Sequence, residues 1–156
     1  MTVYEKSLIV LEELFGRDCQ FALATSKAHV PSVRIVDTFY DDGAFYIVTY
    51  RTSQKAVEIC ANERVALCDQ LFRFSGTAHF IGHPLQQENS RIRSKLVNAF
   101  EPWYFKHNNE SDADMCYIRI DPEHGFFYKD GSGYKVDFHN KSAEEFPFES
   151  EMIVTK

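Results

Sequence analysis

Residues 4–15 place Leu8, Leu11, Leu14 and Phe15 on one face at helical spacing, and Gly16 stands where a helix stop is expected. This predicts a surface helix packed on a β-rich body. A short strand-like run, QFALATS (20–26), follows, then the polar loop Lys27-Ala28-His29. Residues 31–40 (PSVRIVDTFY) alternate Val33, Ile35 and Phe39 with polar neighbours. Asp41-Asp42-Gly43 then separates them from AFYIVTY (44–50), so strand, tight turn and strand are predicted here. Residues 53–62 have helical spacing, with Val57, Ile59 and Cys60 apolar and Thr52 or Ser53 placed as N-cap. RVALCDQLF and RFSGTAHFIG read as two more strands, up to Gly82. After Pro84, residues 86–100 predict a second amphipathic helix on Ile92, Leu96, Val97 and Phe100. CYIRID, GFFYKD and YKVDF, the last two flanking a DGSG turn, predict two or three further strands. Residues from about 140 to 156 read as an acidic, irregular tail.

Strands joined mainly by hairpins, with few and segregated helices, predict an α+β fold. The expected architecture is an antiparallel split barrel of six to eight strands with a few peripheral helices. The regular alternation of a doubly wound sheet is absent. At 156 residues the chain suits one domain, 1–156, with its own core.

Composition sharpens this in two places. Aromatic residues make up 15% of the chain, from fourteen Phe, eight Tyr and one Trp, which suits a β-rich core and leaves rings over for another surface. Seventeen basic against twenty-three acidic residues give a net charge of −6 without a basic run, which speaks against a nucleic-acid partner. No apolar stretch reaches membrane-spanning length and the N-terminus does not resemble a signal peptide, so a cytoplasmic location without a membrane partner is expected. The four cysteines are widely spaced and read as reduced thiols, most of them small core residues.

Candidate chemistry concentrates at TYRTSQK (49–55). A strand ends there, Thr49, Thr52 and Ser53 offer hydroxyls, and Lys55 falls in the first turn of the next helix. Free N–H groups and the helix dipole favour an anion at such a point. On this stretch alone, a plainly capped helix with a solvated lysine is the favoured reading. Arg34 shifts the balance: hairpin pairing about Asp41-Asp42-Gly43 would set residues near 34 opposite residues near 50. A second cation would then converge on the same helix start.

These segments in this order resemble the FMN-binding split-barrel family that includes pyridoxamine 5′-phosphate oxidase: FALATS, the Arg-bearing strand, the acidic-Gly hairpin, a strand ending in Thr, Ser-Gln-Lys-Ala at a helix start, Asn-Glu-Arg-Val and a strand with a central Gly. The likeness covers roughly residues 19–82. It implies an FMN cofactor, with Arg34 on the phosphate side, Ile35, Val36 and Asp37 along the flavin ring, and Val48 and Thr49 at the strand end beside it. Ser53, Gln54 and Lys55 would hold the phosphate. It further implies a homodimer with flavin at the subunit interface, where Leu71, Phe72 and Arg73 would reach the partner's cofactor. Gln54 stands where pyridoxamine phosphate oxidases carry Arg, with Arg51 as a candidate replacement. Leu71 stands where they use Gln, and their Arg-Leu-rich C-terminal ending has no counterpart. The resemblance therefore points to an FMN-dependent oxidoreductase acting on an unidentified small molecule other than a vitamin B6 phosphate. Reduced nicotinamide is a candidate electron donor. The alternative is a flavin- or tetrapyrrole-binding sensor or carrier without turnover. A cofactor-free dimeric interaction module is the reading that Arg34, Ser53 and Lys55 argue against.

No residue stands out as a catalytic acid or base. Phe72, Trp103 and Tyr104 are candidate aromatic walls of a substrate cleft. His79 and His83 need not share a face, so no metal site is expected. The acidic pairs Glu12-Glu13, Asp41-Asp42 and Glu144-Glu145 are adjacent in sequence and point apart.

Overall fold

The computed structural model describes residues 1–150. Its elements are α1 (Val3–Phe15), β1 (Cys19–Lys27), β2 (Val30–Asp41), β3 (Ala44–Tyr50), α2 (Gln54–Ala61), β4 (Arg64–Asp69), β5 (Phe72–Gly82), α3 (Ser90–Ala99), α4 (Tyr104–His107), β6 (Met115–Lys129), β7 (Ser132–Asp137) and β8 (Ser142–Pro147). The sheet order is β3-β2-β1-β4-β5-β6-β7-β8, and β3 also pairs with β6. That extra pairing closes six antiparallel strands into a barrel, with β7 and β8 as an outlying pair. This is the expected α+β split barrel.

Each element has a local cause. Thr2 and Glu5 form a capping box at the start of α1: the Glu5 N–H donates to Thr2 Oγ1, and the Thr2 N–H donates to Glu5 Oε2. Asp42 and Gly43 both have positive φ, the geometry of the tightest hairpin turn, so β2 turns directly into β3. Gly76 lies where β5 and β6 shift register. A Cβ there would sit 2.2 Å from the Asp121 carbonyl oxygen, so the two strands can approach only over glycine.

The core has two parts. Inside the barrel, Phe15 of α1 meets Phe21, Phe45, Phe74 and Phe127, with ring centroids 5.3–6.4 Å apart. Outside β3 and β6, α3 and α4 pack Leu96, Phe100 and Tyr104 against Tyr46, Met115 and Tyr117. The rings in excess of an ordinary core thus build a second layer.

Four expectations change. The hairpin ladder between β2 and β3 ends after Phe39↔Tyr46, Tyr40↔Phe45 and Asp41↔Ala44. From there β2 stays on β1 while β3 crosses to β6, so residues 34 and 50 are not paired. Residues 142–147, expected to be irregular, form β8 on β7, where Ala143 and Phe146 are half-buried; residues 151–156 lie outside the described residues. Only Cys116 of the four thiols is buried, whereas Cys60 and Cys68 are exposed. Tyr104 is not a cleft wall: it is fully buried, and its hydroxyl bonds the Tyr117 hydroxyl and donates to Glu110. No helix among the described residues is long and apolar enough to cross a membrane.

Candidate functional site: a polar cup at one barrel mouth

The inward rows of the barrel are apolar until they reach one mouth. There β1 supplies Thr25, β2 supplies Arg34, β3 supplies Thr49 and β6 supplies Cys116, which is Thr49's partner in the ladder. Helix α2 packs back over β1 and lays Lys55 and Glu58, one turn apart, across this opening.

Ser53 caps α2, its Oγ accepting the Ala56 N–H at 3.3 Å and meeting Thr49 Oγ1 at 3.0 Å. Lys55 Nζ donates to Thr49 Oγ1 at 3.2 Å. The N–H groups of Gln54 and Lys55 find no acceptor among the described residues, as expected for a first helical turn. Lys55 is half-buried, and no carboxylate pairs with it among the described residues. Burial first, and then Arg34, push its pKa below the ordinary lysine value. A desolvated, unpaired ammonium beside two hydroxyls and free N–H groups is a set of donors aimed at an anion.

Arg34 does reach this mouth, by a different route from the one its sequence position suggested. Its Nη1 donates to Thr25 Oγ1 at 2.7 Å and to the Leu23 carbonyl at 3.3 Å, and Nη2 lies 3.5 Å from Glu58 Oε2. The Thr25 hydroxyl donates to the same Glu58 oxygen at 2.5 Å. The Thr25 bond, followed by Gln54, Ser32 and the Arg34 charge, holds the Glu58 carboxyl below the usual carboxylate range against the opposing effect of burial. Sequence reasoning missed Thr25 and Glu58. The signals were a hydroxyl in the inward row Phe21, Leu23, Thr25, and an acid three residues after Lys55 on the same helix face.

The other site candidates scatter by strand alternation. Val36 points into the core, while Ile35 and Asp37 point outward, Ile35 with 64% of its surface exposed. Val33 beside it is exposed, and among the described residues no strand meets the edge of β2 from Val30 to Thr38 on that side. Asp37 is pushed up to about 6 by burial and by its neighbour Asp18, which also accepts from Trp103 Nε1 at 2.8 Å. Val48 faces the α3 layer rather than the cup. The Arg51 guanidinium lies over the Phe80 ring at 5.5 Å, so it does not bond the hydroxyl group around Lys55. Leu71 and Phe72 sit at the β4–β5 turn, at the far mouth of the same barrel. Leu71 is exposed there, and Phe72 stacks on Tyr128 at 4.8 Å. Within one chain they do not join the cup. His83 accepts the Leu85 N–H on Nδ1 and donates from Nε2 to the Asp112 carbonyl, a loop staple, and no group of three metal-ligating side chains occurs among the described residues.

The family model described as pyridoxamine 5′-phosphate oxidase matches residues 11–129. The chain belongs to that family. The matched span contains the whole cup, from Thr25 to Cys116. Solved members of this pyridoxamine 5′-phosphate oxidase fold include a NimC/NimA family protein from Clostridium acetobutylicum, 19% identical, covering 94% of this chain and 96% of that one with a TM-score of 0.59. An FAD-binding protein from Mesorhizobium loti is 20% identical over 76% of this chain and 89% of that one, with a TM-score of 0.57. HutZ, the heme storage protein from Vibrio cholerae, is 15% identical over 83% and 96%, with a TM-score of 0.61. No curated protein sequence matches the chain.

An open groove of about 740 Å³ runs over the outer face of β4 to β8, with the Phe126 ring, Arg73, His124 and Lys135 among its lining.

Proposed function

We propose that this chain is an FMN-dependent oxidoreductase acting on a small molecule other than a vitamin B6 phosphate. The observation that carries the reading is Lys55: half-buried, unpaired by any described carboxylate, and grouped with Thr49, Ser53 and the first turn of α2 inside the span matched by the family. The donor set fits a phosphate. Lys55, Ser53, Thr49 and the α2 N–H groups would hold it, with Arg34 behind them, and the outward face of β2 at Ile35 offers an apolar seat for a ring. When bound, FMN supplies hydride and electron transfer. The chain's own task is to bind, orient and exclude water, and no side chain of the cup is needed as an acid or base. A second copy of the chain, covering the exposed β2 edge and bringing its Leu71 and Phe72, would complete the site.

Titration with FMN tests this directly. Saturable quenching of flavin fluorescence is expected, and Lys55→Ala and Arg34→Ala should each weaken it by about 1.5–3 kcal/mol, the scale of a charge-assisted hydrogen bond. Absence of flavin uptake by the native chain would overturn the reading. Anaerobic mixing with reduced nicotinamide should then bleach the bound flavin; a flavin that binds and stays yellow marks a carrier or sensor instead.

A second reading, a tetrapyrrole carrier, rests on the outer groove, where His124, two cations and the Phe126 ring lie together, and on the likeness to HutZ. Hemin titration should then give a sharp Soret band that His124→Ala broadens and shifts. An unchanged band in that variant removes this reading.

A further inference from the structure

The strands that build the cup meet a second cavity at their other end. β2 passes from Arg34 at the cup to Tyr40, and β6 from Cys116 to Asp121, where α1 lies against the β2–β3 turn and leaves a hollow of about 330 Å³. Tyr4, Leu8 and Glu12, spaced four residues apart, face it as one stripe of α1. Tyr40 and Asp42 line it from the turn, Asp121 from β6, and Phe138 from just past β7. None of these residues belongs to the cup or to the outer groove.

The lining holds three carboxylates and no basic side chain. Asp121 is matched from outside it: Arg119 Nε donates to Asp121 Oδ1 at 2.7 Å, and His79 Nε2 lies 3.6 Å from Oδ2. The Asp42 charge also reaches Arg119, without a salt bridge. Arg91 and Lys95 are taken up by Asp41. Neither Glu12 nor Asp42 enters a salt bridge among the described residues. Both act instead on the Tyr40 hydroxyl. Tyr40 is only 3% exposed, its ring packed against Phe45 at 5.2 Å. Burial first, and then Tyr4, Glu12 and Asp42, push its pKa up to about 12 against the opposing Gly43 N–H, whose bond its oxygen accepts. The hydroxyl is therefore protonated at neutral pH, and its proton finds no acceptor among the described residues.

Each of these groups asks for something different. Unpaired carboxylates beside aromatic rings attract a cation. No group of three metal-ligating side chains occurs among the described residues, so the set does not suit a metal ion, whereas an organic cation is wide enough to meet acids and rings together. A buried O–H without an acceptor carries a desolvation cost that a ligand oxygen relieves. That oxygen must be uncharged, because an anionic one would face the acids. We propose that this hollow is a binding site for a small organic ammonium that also bears a hydroxyl group, with Glu12 and Asp42 taking the charge and Tyr40 donating to the oxygen. The site shares no residue with the flavin seat and does not depend on it.

Three probes of nearly equal size test this by ligand-observed NMR titration near neutral pH: choline; dimethylbutanol, its uncharged carbon isostere; and ethyltrimethylammonium, which lacks the hydroxyl. Choline should bind saturably, at least about tenfold more tightly than dimethylbutanol and about threefold more tightly than ethyltrimethylammonium. Glu12→Gln combined with Asp42→Asn should reduce the first preference to about twofold or less. Residue 42 has positive φ, which Asn tolerates well, so the turn survives the change. Tyr40→Phe keeps the ring on Phe45 and should abolish the second preference while leaving the first. Each ratio compares two ligands on one protein, so a general loss of stability cancels. Absence of saturable choline binding to the native chain, equal binding of choline and either analogue, or a ratio unmoved by its variant overturns the proposal.

Discussion

Lys55 shows what a binding residue contributes when nothing is bound. Its ammonium is partly desolvated and is bonded to a single hydroxyl, so in the free protein it is a source of instability. Lys55→Met keeps the stem and removes the charge. The variant should melt a few degrees higher than the native chain, roughly 0.5–1 kcal/mol after solvent screening, while losing phosphate affinity. A lower melting point would show that the lysine is a structural group. Asp37 behaves in the opposite sense with pH. Its folded-state value, raised from 3.8 to about 6, means that the folded chain binds this proton more tightly than the unfolded one. Stability from this group is therefore present at low pH and falls as pH rises from about 4 to about 6. Asp37→Asn should match the native melting point near pH 4 and exceed it above about pH 7, by about 1 kcal/mol with screening. An equal effect at both pH values would show that the Asp18–Asp37 contact does not govern this group.

At the level of elements, periodicity exposed most of the framework: the apolar faces of α1, α2 and α3, the stop at Gly16, the Ser53 cap of α2 and the turn at Asp42-Gly43 are local features that a short window of sequence carries. What the sequence did not reveal was where strands go after they leave a turn. Alternation in β2 and β3 fits pairing to either neighbour, and only the closed barrel decides that β3 crosses to β6. Arg34 was placed near the right helix by the wrong ladder; the true link is α2 lying over β1, a long-range packing choice. The strand at 142–147 escaped notice because its side chains are mostly exposed and acidic, leaving Ala143 and Phe146 as a weak apolar signal. Gly76 gives a test at this scale. Gly76→Ala would drive a methyl into the Asp121 carbonyl of the neighbouring strand. The expected loss is roughly 3 kcal/mol in denaturant unfolding, as for overpacking without room to relax. A loss within experimental error would mean that β5 and β6 separate freely at this bulge.

For the molecule as a whole, the unpaired edge of β2 is the conspicuous unfinished surface. Val30, Val33 and Ile35 expose 64%, 69% and 64% of their area beside backbone groups that pair with no strand among the described residues. If a second copy covers this edge, Val33→Lys with Ile35→Lys should leave the circular dichroism spectrum unchanged. Sedimentation should then report monomers, and FMN affinity should fall at least about tenfold, since buried apolar anchors dominate such contacts. A dimer that persists, with unaltered flavin affinity, would place the interface elsewhere.

The long strand β6 has a further consequence, in time rather than in space. Among the described residues, 115–120 are the partners that close β3 into the ring, and the same strand carries β5 on its other side and β7 beyond. A nascent chain therefore displays β3 and β5 as two waiting edges until Met115–Ile120 has left the ribosome. The β3–β6 ladder joins residues 65 to 75 positions apart, from Tyr50↔Met115 to Phe45↔Ile120, and such long-range closure is slow by contact-order reasoning. Chains that end before residue 115 cannot bury Phe45 and Phe74 behind a complete wall. They are the species on which chaperones would act and from which aggregates would grow.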